Sequence, residues 1–320
     1  MSTKRRSGVN VLWQPEGQRL APGIIFLALA CTFALGCSTN PSSAAQSGAD
    51  ERPTSGKVVL ITGSTDGLGR EVALKLAGPG THIVVHGRNR ERGHEVVRAI
   101  ETAGGSARFY QADLAHLDQV RELGRAILRD YKRLDVLVNN AGIWLTAEQG
   151  RQVSADGHEL HFAVNYLSHY LLTRTLLPLL GETPSARIIN VSSGAQQPIN
   201  FDDVMLERSY SDGRGYAQSK LAQVLFTLDL ARELQGTGVT VNALHPASMM
   251  NTTMVLSRGA AARSSVAEGV DAVEHLITSP DVGTGGYFNG TRPAKAHSQA
   301  YDAAARERLR RLSDVLTGAS

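Results

Sequence analysis

Short apolar runs alternate with amphipathic stretches along most of the chain, beginning at Lys57. The apolar runs are continuous, as in parallel strands that are covered on both faces. Seven such runs predict strands, of which the last is short: 57–62, 82–86, 107–110, 134–139, 187–191, 239–243 and 286–288. Helical periodicity lies between them, near 67–77, 89–103, 116–131, 154–180, 216–235 and 263–277. This alternation predicts an α/β fold, with a doubly wound parallel sheet of about seven strands flanked by helices.

The first 56 residues have a different pattern. A basic start, with Lys4, Arg5 and Arg6, precedes an uncharged stretch in which residues 24–37 are almost entirely apolar. This run is too short for a typical membrane-spanning helix, but its length suits the apolar core of a signal peptide. It ends in Ala-Leu-Gly-Cys37, which resembles a bacterial lipoprotein cleavage site with Cys37 as the lipidated residue.

Three interpretations of residues 1–37 stay open: a lipoprotein-like signal, an uncleaved membrane anchor, or an extension that results from a misplaced start codon. The first two predict membrane association, with the basic start inside and the body outside the cytoplasm. The third predicts a cytoplasmic protein. Export conflicts with the soluble nucleotide that the chemistry described below requires. Residues 38–55 are rich in Ser, Ala, Pro and Gly and predict a flexible linker, which leaves 56–320 as one folded domain.

Composition narrows the functional class. The chain has 320 residues, of which 42% are hydrophobic and 20% charged, as in ordinary globular proteins. Both cysteines, Cys31 and Cys37, lie in the leader, so the body has no disulfide, thiol nucleophile or cysteine zinc site. The net charge of +3 is concentrated in the leader. The nearly neutral body therefore lacks the basic surface expected of a nucleic-acid-binding protein.

A glycine-rich turn, Thr-Gly-Ser-Thr-Asp-Gly-Leu-Gly over 62–69, follows the first predicted strand and opens a helix. Glycines at 63, 67 and 69 would let the backbone approach a pyrophosphate closely. The start of the helix offers unpaired N–H groups and a positive dipole end to the phosphates. An ordinary tight turn is the alternative, but the position directly after the first strand favours a dinucleotide site.

The end of the second predicted strand indicates which dinucleotide binds. NAD-binding proteins usually carry an acidic residue there for the ribose hydroxyls, whereas this chain has His-Gly-Arg-Asn over 86–89. Arg88 would pair with a 2′-phosphate, so we expect NADP(H) to be preferred, with NAD(H) as the second choice. The alternative is a solvated arginine at a helix start. Asp113 follows the third strand and either accepts from the adenine amino group or caps a helix near Ala115.

A tyrosine and a lysine, Tyr216 and Lys220, are placed one helical turn apart on the same face. The Lys220 ammonium and a cationic nicotinamide would together lower the tyrosine pKa from about 10 toward neutrality. Tyr216 would then carry a proton while hydride moves between nicotinamide and carbon. Ser193 follows the fifth strand and can donate a hydrogen bond to the substrate oxygen. Asn165 is a candidate to hold a water that links Lys220 to solvent.

These elements, in this order, resemble the short-chain dehydrogenase/reductase family over about residues 56–318. The resemblance implies a Rossmann-type NAD(P)-binding domain and a catalytic tetrad of Asn165, Ser193, Tyr216 and Lys220. Segments 162–173 and 216–222 are similar to the retinol-dehydrogenase-like branch. Motifs and resemblance together predict these cofactor-binding residues: Thr62, Gly63, Ser64, Thr65, Gly67, Leu68, Gly69, Arg88, Asn89, Asp113, Leu114, Asn140, Ala141, Gly142, Tyr216, Lys220 and Pro246. The chain departs from the family pattern at Ala247, where glycine is usual, and at Asn251, where threonine is expected.

The predicted function is that of an NAD(P)(H)-dependent oxidoreductase acting on the alcohol or carbonyl group of a small apolar molecule. The alternatives are reduction of a carbon–carbon double bond on the same scaffold and a non-catalytic nucleotide-binding scaffold protein. We expect no metal site, although His161 and His169 share a helix face. A homodimer is compatible with the sequence. The arginines within 306–311 are interpreted as a solvated helix face, with contact to anionic lipid as the alternative.

Overall fold

The computed structural model describes residues 56–319, so the predictions for residues 1–37 and for the linker 38–55 lie outside the described residues. The described part contains one eight-stranded sheet with the spatial order β3-β2-β1-β4-β5-β6-β7-β8. Its first seven strands are parallel, and β8 is antiparallel to β7. The strands are β1 (Lys57–Ile61), β2 (Thr81–Gly87), β3 (Ser106–Gln111), β4 (Val136–Asn139), β5 (Arg187–Val191), β6 (Thr240–His245), β7 (Tyr287–Asn289) and β8 (Arg292–Ala294).

Helices cover both faces of this sheet, and each face has its own apolar core. The helices are α1 (Gly67–Leu76), α2 (Arg90–Thr102), α3 (Leu117–Asp130), α4 (Ser168–Gly181), α5 (Asp212–Glu233), α6 (Thr253–Leu256), α7 (Val266–Thr278) and α8 (Ala303–Thr317). The core on one face contains residues of α1, α2 and α7, and the other contains residues of α3, α4, α5 and α8. The predicted α/β fold with a doubly wound parallel sheet is confirmed. Because the strand order reverses between β1 and β4, a crevice forms at the carboxyl ends of these two strands.

The helix predicted over 154–180 was wrong at its start. Residues 151–159 form a loop, with an isolated bridge between Val153 and Glu159 and a positive φ of 81° at Gly157. The buried Glu159 carboxylate accepts from the backbone N–H groups of His161 (3.1 Å) and Phe162 (2.8 Å) and so fixes where the helix begins. One turn of π-helix, Phe162–Leu167, then leads into α4. Helical periodicity alone did not indicate this wider turn.

The start of α5 and the last strand of the sheet also differ from the prediction. Helix α5 begins at Asp212, four residues before Tyr216, because the Ser211 hydroxyl caps it by accepting from the Arg214 N–H (3.2 Å). The eighth strand was not predicted, since it has three residues and contains Pro293, which gives it no strand pattern.

The arginine-rich segment near the C-terminus lies on α8. Two of its guanidinium groups pair with carboxylates of the body, Arg308 with Asp202 (3.0 Å) and Arg310 with Asp229 (3.2 Å). These pairs link α8 to other parts of the domain. Across residues 56–319 no helix combines the length and apolarity needed to cross a membrane.

Candidate active site

A cavity of about 730 Å³ opens at the crevice between β1 and β4, a size within the usual range of ligand sites. Most of the predicted site residues lie in its wall: Gly63, Thr65, Gly67, Leu68, Gly69, Arg88, Asn89, Asp113, Leu114, Asn140, Ala141, Gly142, Ser193, Tyr216, Lys220 and Pro246. Three others, Thr62, Ser64 and Asn165, are fully buried behind the wall. The structure therefore brings the predicted nucleotide and catalytic residues together around one space.

The glycine-rich loop is packed so closely that two of its positions exclude any side chain. A Cβ at Gly69 would lie 2.4 Å from both the Asn140 side-chain nitrogen and the Gly63 carbonyl oxygen. Gly63 has a φ of +65°, and a Cβ there would lie 2.9 Å from Ala141 Cα. These two glycines are thus required by packing within the protein, and the loop they form lines the cavity at the start of α1, where a pyrophosphate could reach helix N–H groups.

Thr62 holds this loop against the segment that follows β4. Its hydroxyl oxygen accepts from the N–H groups of Asn140 (2.9 Å) and Ala141 (3.0 Å) and lies 2.9 Å from His169 Nε2. His169 Nδ1 lies 3.1 Å from the Asn165 carbonyl oxygen, which can only accept, so Nδ1 carries the proton and Nε2 accepts from Thr62. Burial and the nearby Lys220 lower the pKa of His169 to about 3. His169 is therefore a neutral link between the π-helical turn and the glycine loop.

A second histidine, His86, lies beneath the loop at the end of β2. Its Nδ1 accepts from the Gly63 N–H (3.2 Å), and burial lowers its pKa to about 4. Ser64 joins β1 and β2, because its hydroxyl accepts from the N–H of His86 in β2 (3.0 Å) and donates to the carbonyl of Ile61 in β1 (2.8 Å). His86 Nε2 is buried without a hydrogen-bond partner among the described residues.

Four charged side chains, in two pairs, lie at the end of the cavity beside the carboxyl end of β2. Arg88 is exposed, and its guanidinium lies 4.0 Å from the Asp113 carboxylate. Asp113 also accepts from the Ala115 N–H (3.0 Å) and so closes a turn, but it does not cap a helix, because α3 begins only at Leu117. Arg92, which the sequence reasoning missed, lies in the first turn of α2, lines the same cavity and lies 3.4 Å from Asp66. A basic residue four positions after Arg88 was the available signal.

Asn165 connects the π-helical turn to the segment after β4. Its side-chain oxygen accepts from the Ile143 N–H (2.8 Å), and its amide nitrogen donates to the Ile143 carbonyl (3.1 Å) and to the Ser219 hydroxyl (2.9 Å). A Cβ at Gly142 would lie 3.3 Å from Asn165 Oδ1 and 3.5 Å from Lys220 Nζ. Gly142 thus lies beside both Asn165 and Lys220. The water-holding role of Asn165 stays a prediction.

Tyr216 and Lys220 face each other along α5, with Lys220 Nζ 5.7 Å from the tyrosine ring centre. Lys220 is buried and donates to the Val191 carbonyl (2.9 Å) and the Gln223 side-chain oxygen (3.0 Å). Burial lowers its pKa to about 7. Burial also raises the pKa of Tyr216, and the nearby Ser193 side chain partly offsets that rise. The protein groups alone thus do not produce the lowered tyrosine pKa that the sequence predicted.

The end of the cavity that contains Tyr216 continues into an apolar chamber. Its wall contains Trp144, Leu145, Met249, Met254 and Val255, and the last two belong to the short helix α6. The Trp144 ring stacks on the Tyr216 ring, with 5.1 Å between centroids and 28° between planes. Sequence reasoning missed Trp144, and its position two residues after Gly142 was the only signal.

The histidines that share a helix face are used within the protein. His161 pairs with Glu159 (2.8 Å), whereas His169 pairs with Thr62. Within residues 56–319, no group of three or more His, Cys, Asp or Glu side chains is arranged to hold a metal ion.

Comparison with known proteins places this geometry in a family. The family model described as short chain dehydrogenase matches residues 57–262. Retinol dehydrogenase 14 of Mus musculus is 36% identical over 302 residues, which cover 85% of this chain and 89% of that protein. Retinol dehydrogenase 13 of Homo sapiens is 42% identical over 201 residues, covering 60% of this chain and 58% of that protein.

Solved structures have the same architecture. A crystal structure of an uncharacterized protein from Mycobacterium Paratuberculosis has a TM-score of 0.65 at 29% identity and covers 82% of this chain and 93% of its own. A metagenomic short-chain oxidoreductase in complex with NADP has a TM-score of 0.57 at 28% identity, covering 72% and 94%. The chain therefore belongs to the short-chain dehydrogenase family of nicotinamide-dependent oxidoreductases, in its retinol-dehydrogenase-like branch.

Proposed function

We propose that this protein prefers NADP(H) and transfers hydride between the nicotinamide and the alcohol or carbonyl carbon of a small apolar substrate, with Tyr216 as the general acid and base. The observation that carries the proposal is the position of Tyr216. Its side chain lies where the nucleotide crevice meets the apolar chamber, with Lys220 buried behind it and Ser193 in the same wall.

The crevice suits a dinucleotide. The glycine positions 63 and 69 have no room for a side chain, and the loop they form lies at the start of α1. Asp66 already caps α1 by accepting from the Gly67 N–H (2.7 Å), so a pyrophosphate would compete with this carboxylate for that donor. When bound, the nicotinamide ring takes up or gives the hydride.

Three side chains would handle the proton. Tyr216 would take the proton from an alcohol oxygen during oxidation and return it to the carbonyl oxygen during reduction. Ser193 would donate a hydrogen bond to that oxygen. Because the pKa of Lys220 is about 7, a substantial fraction of the protein molecules carry this side chain as an ammonium at neutral pH. That charge favours the phenolate form of Tyr216.

Two arginines support the preference for NADP(H). Arg88 and Arg92 are exposed, and among the described residues each has only a long carboxylate contact, 4.0 Å to Asp113 and 3.4 Å to Asp66. Exposed ion pairs of this kind contribute little to stability, so both guanidinium groups are free to turn toward a 2′-phosphate. Charged hydrogen bonds to that phosphate would favour NADP(H) by roughly ten- to a hundredfold.

Tyr216→Phe tests the acid and base role, because phenylalanine keeps the ring that stacks on Trp144 and removes only the hydroxyl. We expect the NADPH-dependent rate to fall by about a hundredfold or more, on the scale of general acid catalysis, with little change in NADPH affinity. Tyr301→Phe, at a half-exposed tyrosine outside the cavity, is the matched control. A Tyr216→Phe variant as active as this control would refute the role of Tyr216.

The substrate panel should contain aldehydes, ketones and enones, each assayed with NADPH by absorbance and product analysis. Reduction of the carbonyl group supports the proposal. Reduction of only the double bond of the enones would identify a carbon–carbon double-bond reductase. Nucleotide binding without turnover of any substrate would identify a nucleotide-binding scaffold protein.

Arg88→Asp tests the nucleotide preference. We expect the ratio of kcat/KM for NADPH to that for NADH to fall by roughly tenfold or more, because the phosphate partner is lost and an acid becomes available to the ribose hydroxyls. Arg90→Asp makes the same change of charge at an exposed residue outside the cavity wall. Equal ratios for the two variants would exclude a specific contact between Arg88 and the phosphate.

A further inference from the structure

An aromatic side chain covers the proposed proton donor. Trp144 lies in the cavity wall, and its indole ring is stacked on the ring of Tyr216 at 5.1 Å. One face of the tyrosine is thereby closed to any substrate. The shape of the space beside the tyrosine hydroxyl is consequently set by where the indole lies.

The Trp144 ring also contacts a cation. The guanidinium carbon of Arg258 lies 3.9 Å from the indole ring centre, a short cation–π distance. Tyr216 and Arg258 are thus the two stacking partners of Trp144. Arg258 comes two residues after α6, the short helix that supplies Met254 and Val255 to the apolar chamber.

The other contacts of Arg258 join three parts of the chain. Its Nη2 pairs with the Asp212 carboxylate at 2.7 Å, and its Nη1 donates to the carbonyl oxygens of Trp144 (3.3 Å) and Leu145. Asp212 is the first residue of α5, the helix that carries Tyr216. The Arg258 side chain is only 15% exposed. A planar guanidinium can stack on an indole and bond in its own plane at once, which a lysine ammonium cannot do.

The segment that contains Arg258 has few other attachments. Helix α6 buries only Val255, and its Leu256 is 52% exposed. The backbone beneath the indole is anchored independently, because the Leu145 N–H donates to His161 Nε2 (3.0 Å), and His161 is held by Glu159. Loss of Arg258 would therefore release the indole and the α6 segment without removing the support of the main chain.

We propose that Trp144 determines substrate specificity and that Arg258, paired with Asp212, is the positioning residue that holds its ring against Tyr216. The part of this inference that concerns the choice of substrate rests on the proposed function. The arrangement itself is independent of turnover. With the indole held in place, the site favours slender carbonyl compounds, and branching next to the carbonyl group meets the indole.

The chain allows a direct optical test of the arrangement. It has two tryptophans, Trp13 and Trp144, so in a Trp13→Phe background all tryptophan emission comes from Trp144. In that background we expect Arg258→Met to shift the emission to longer wavelength and to increase its quenching by acrylamide. Arg263→Met is the matched control, because Arg263 is an exposed arginine of the same segment. Equal emission and quenching in the two variants would refute the role of Arg258.

Kinetics then test the consequence. We expect Arg258→Met to raise the KM for a linear aldehyde about tenfold, the scale of one well-formed cation–π contact, with a smaller change in kcat and an unchanged Kd for NADPH. Arg258→Lys keeps the charge beside Asp212 but loses the stacking, and it should fall between the wild type and Arg258→Met. This milder variant also decides the question if Arg258→Met does not fold.

The specificity role has its own pair of variants. The Trp144 indole N–H is buried without an acceptor among the described residues, so Trp144→Phe removes no hydrogen bond and should fold normally. Trp144→Ala should raise kcat/KM for an α-branched ketone relative to a linear aldehyde, by about tenfold, whereas Trp144→Phe should leave most of the discrimination. An unchanged ratio in Trp144→Ala would overturn the specificity role. If no variant and no wild-type protein turns over any carbonyl compound, the proposed function fails, and the fluorescence comparison still decides whether Arg258 holds Trp144.

Discussion

The buried ammonium of Lys220 should make the stability of the protein depend on pH. Burial lowers the pKa of this side chain from 10.5 to about 7. Between these two pH values the unfolded chain binds a proton that the folded protein does not bind. The free energy of unfolding should therefore rise with pH in this interval, because the unfolded state is the more protonated one.

The magnitude follows from the two pKa values. Each pH unit is worth about 1.4 kcal/mol, so the whole interval corresponds to on the order of 4 to 5 kcal/mol. The full cost of burying the charge is present below pH 7 and is removed as the pH rises toward 10.5. Between pH 7 and pH 9 we expect this residue to add about 2 kcal/mol to the free energy of unfolding.

Lys220→Met isolates this contribution, because methionine fills a similar space and does not titrate. Urea unfolding of wild type and variant at pH 7, 8 and 9 gives the difference in free energy of unfolding at each pH. The absolute stability of the variant also reflects the lost bonds to Val191 and Gln223, so the test is the change in that difference with pH. Lys132→Met, at an exposed lysine, should run parallel to the wild type. If Lys220→Met also runs parallel to the wild type, the pKa of Lys220 is not lowered by burial.

Three further predictions concern the frame of the site. In Gly69→Ala the new methyl group would lie 2.4 Å from the Asn140 side chain, so the melting temperature and the affinity for NADPH should both fall. This is expected although alanine is the better helix former by about 1 kcal/mol. A variant with unchanged Tm and Kd would contradict the packing. In Asp135→Ala the Val58 N–H loses a buried carboxylate partner at 2.8 Å, which should lower the free energy of unfolding by about 1–3 kcal/mol in urea titration, and an unchanged midpoint would contradict it. A chain that begins at Ser55 should fold and have an unchanged kcat, because β1 starts at Lys57, and loss of folding would show that residues 1–54 are needed for more than location.

Local features of the sequence were sufficient to predict the sheet. Each strand from β1 to β6 coincides with a predicted run to within about two residues. All of them except the partly exposed edge strand β3 are largely buried and apolar, as strands covered on both faces are. The Tyr216–Lys220 pair was equally predictable, because two residues four positions apart on one helix face the same way. The glycine-rich loop was also predictable from the sequence, because it depends on the absence of side chains at fixed positions.

Other features depend on residues that are far apart in the sequence. The stack of Arg258 on Trp144 joins positions 114 residues apart, and the Thr62–His169 bond spans 107. No local period predicts which side chains meet across such distances. The start of the helix near 160 was misjudged for a different reason, because it depends on a local contact: the buried Glu159 carboxylate accepts from the N–H groups of His161 and Phe162, two and three residues later.

The sequence by itself determined the order of the strands and helices, the glycine-rich loop and the spacing of Tyr216 and Lys220, because all of these follow from local spacing and residue type, whereas the tetrad with Asn165 and Ser193 was implied by the family resemblance. Only the tertiary structure decided how these residues titrate and what surrounds them. Burial lowers the pKa of Lys220 and keeps His169 neutral. Packing also places the Trp144 indole against the Tyr216 ring. Burial depends on how all the elements pack together, and no single segment of the chain contains that information.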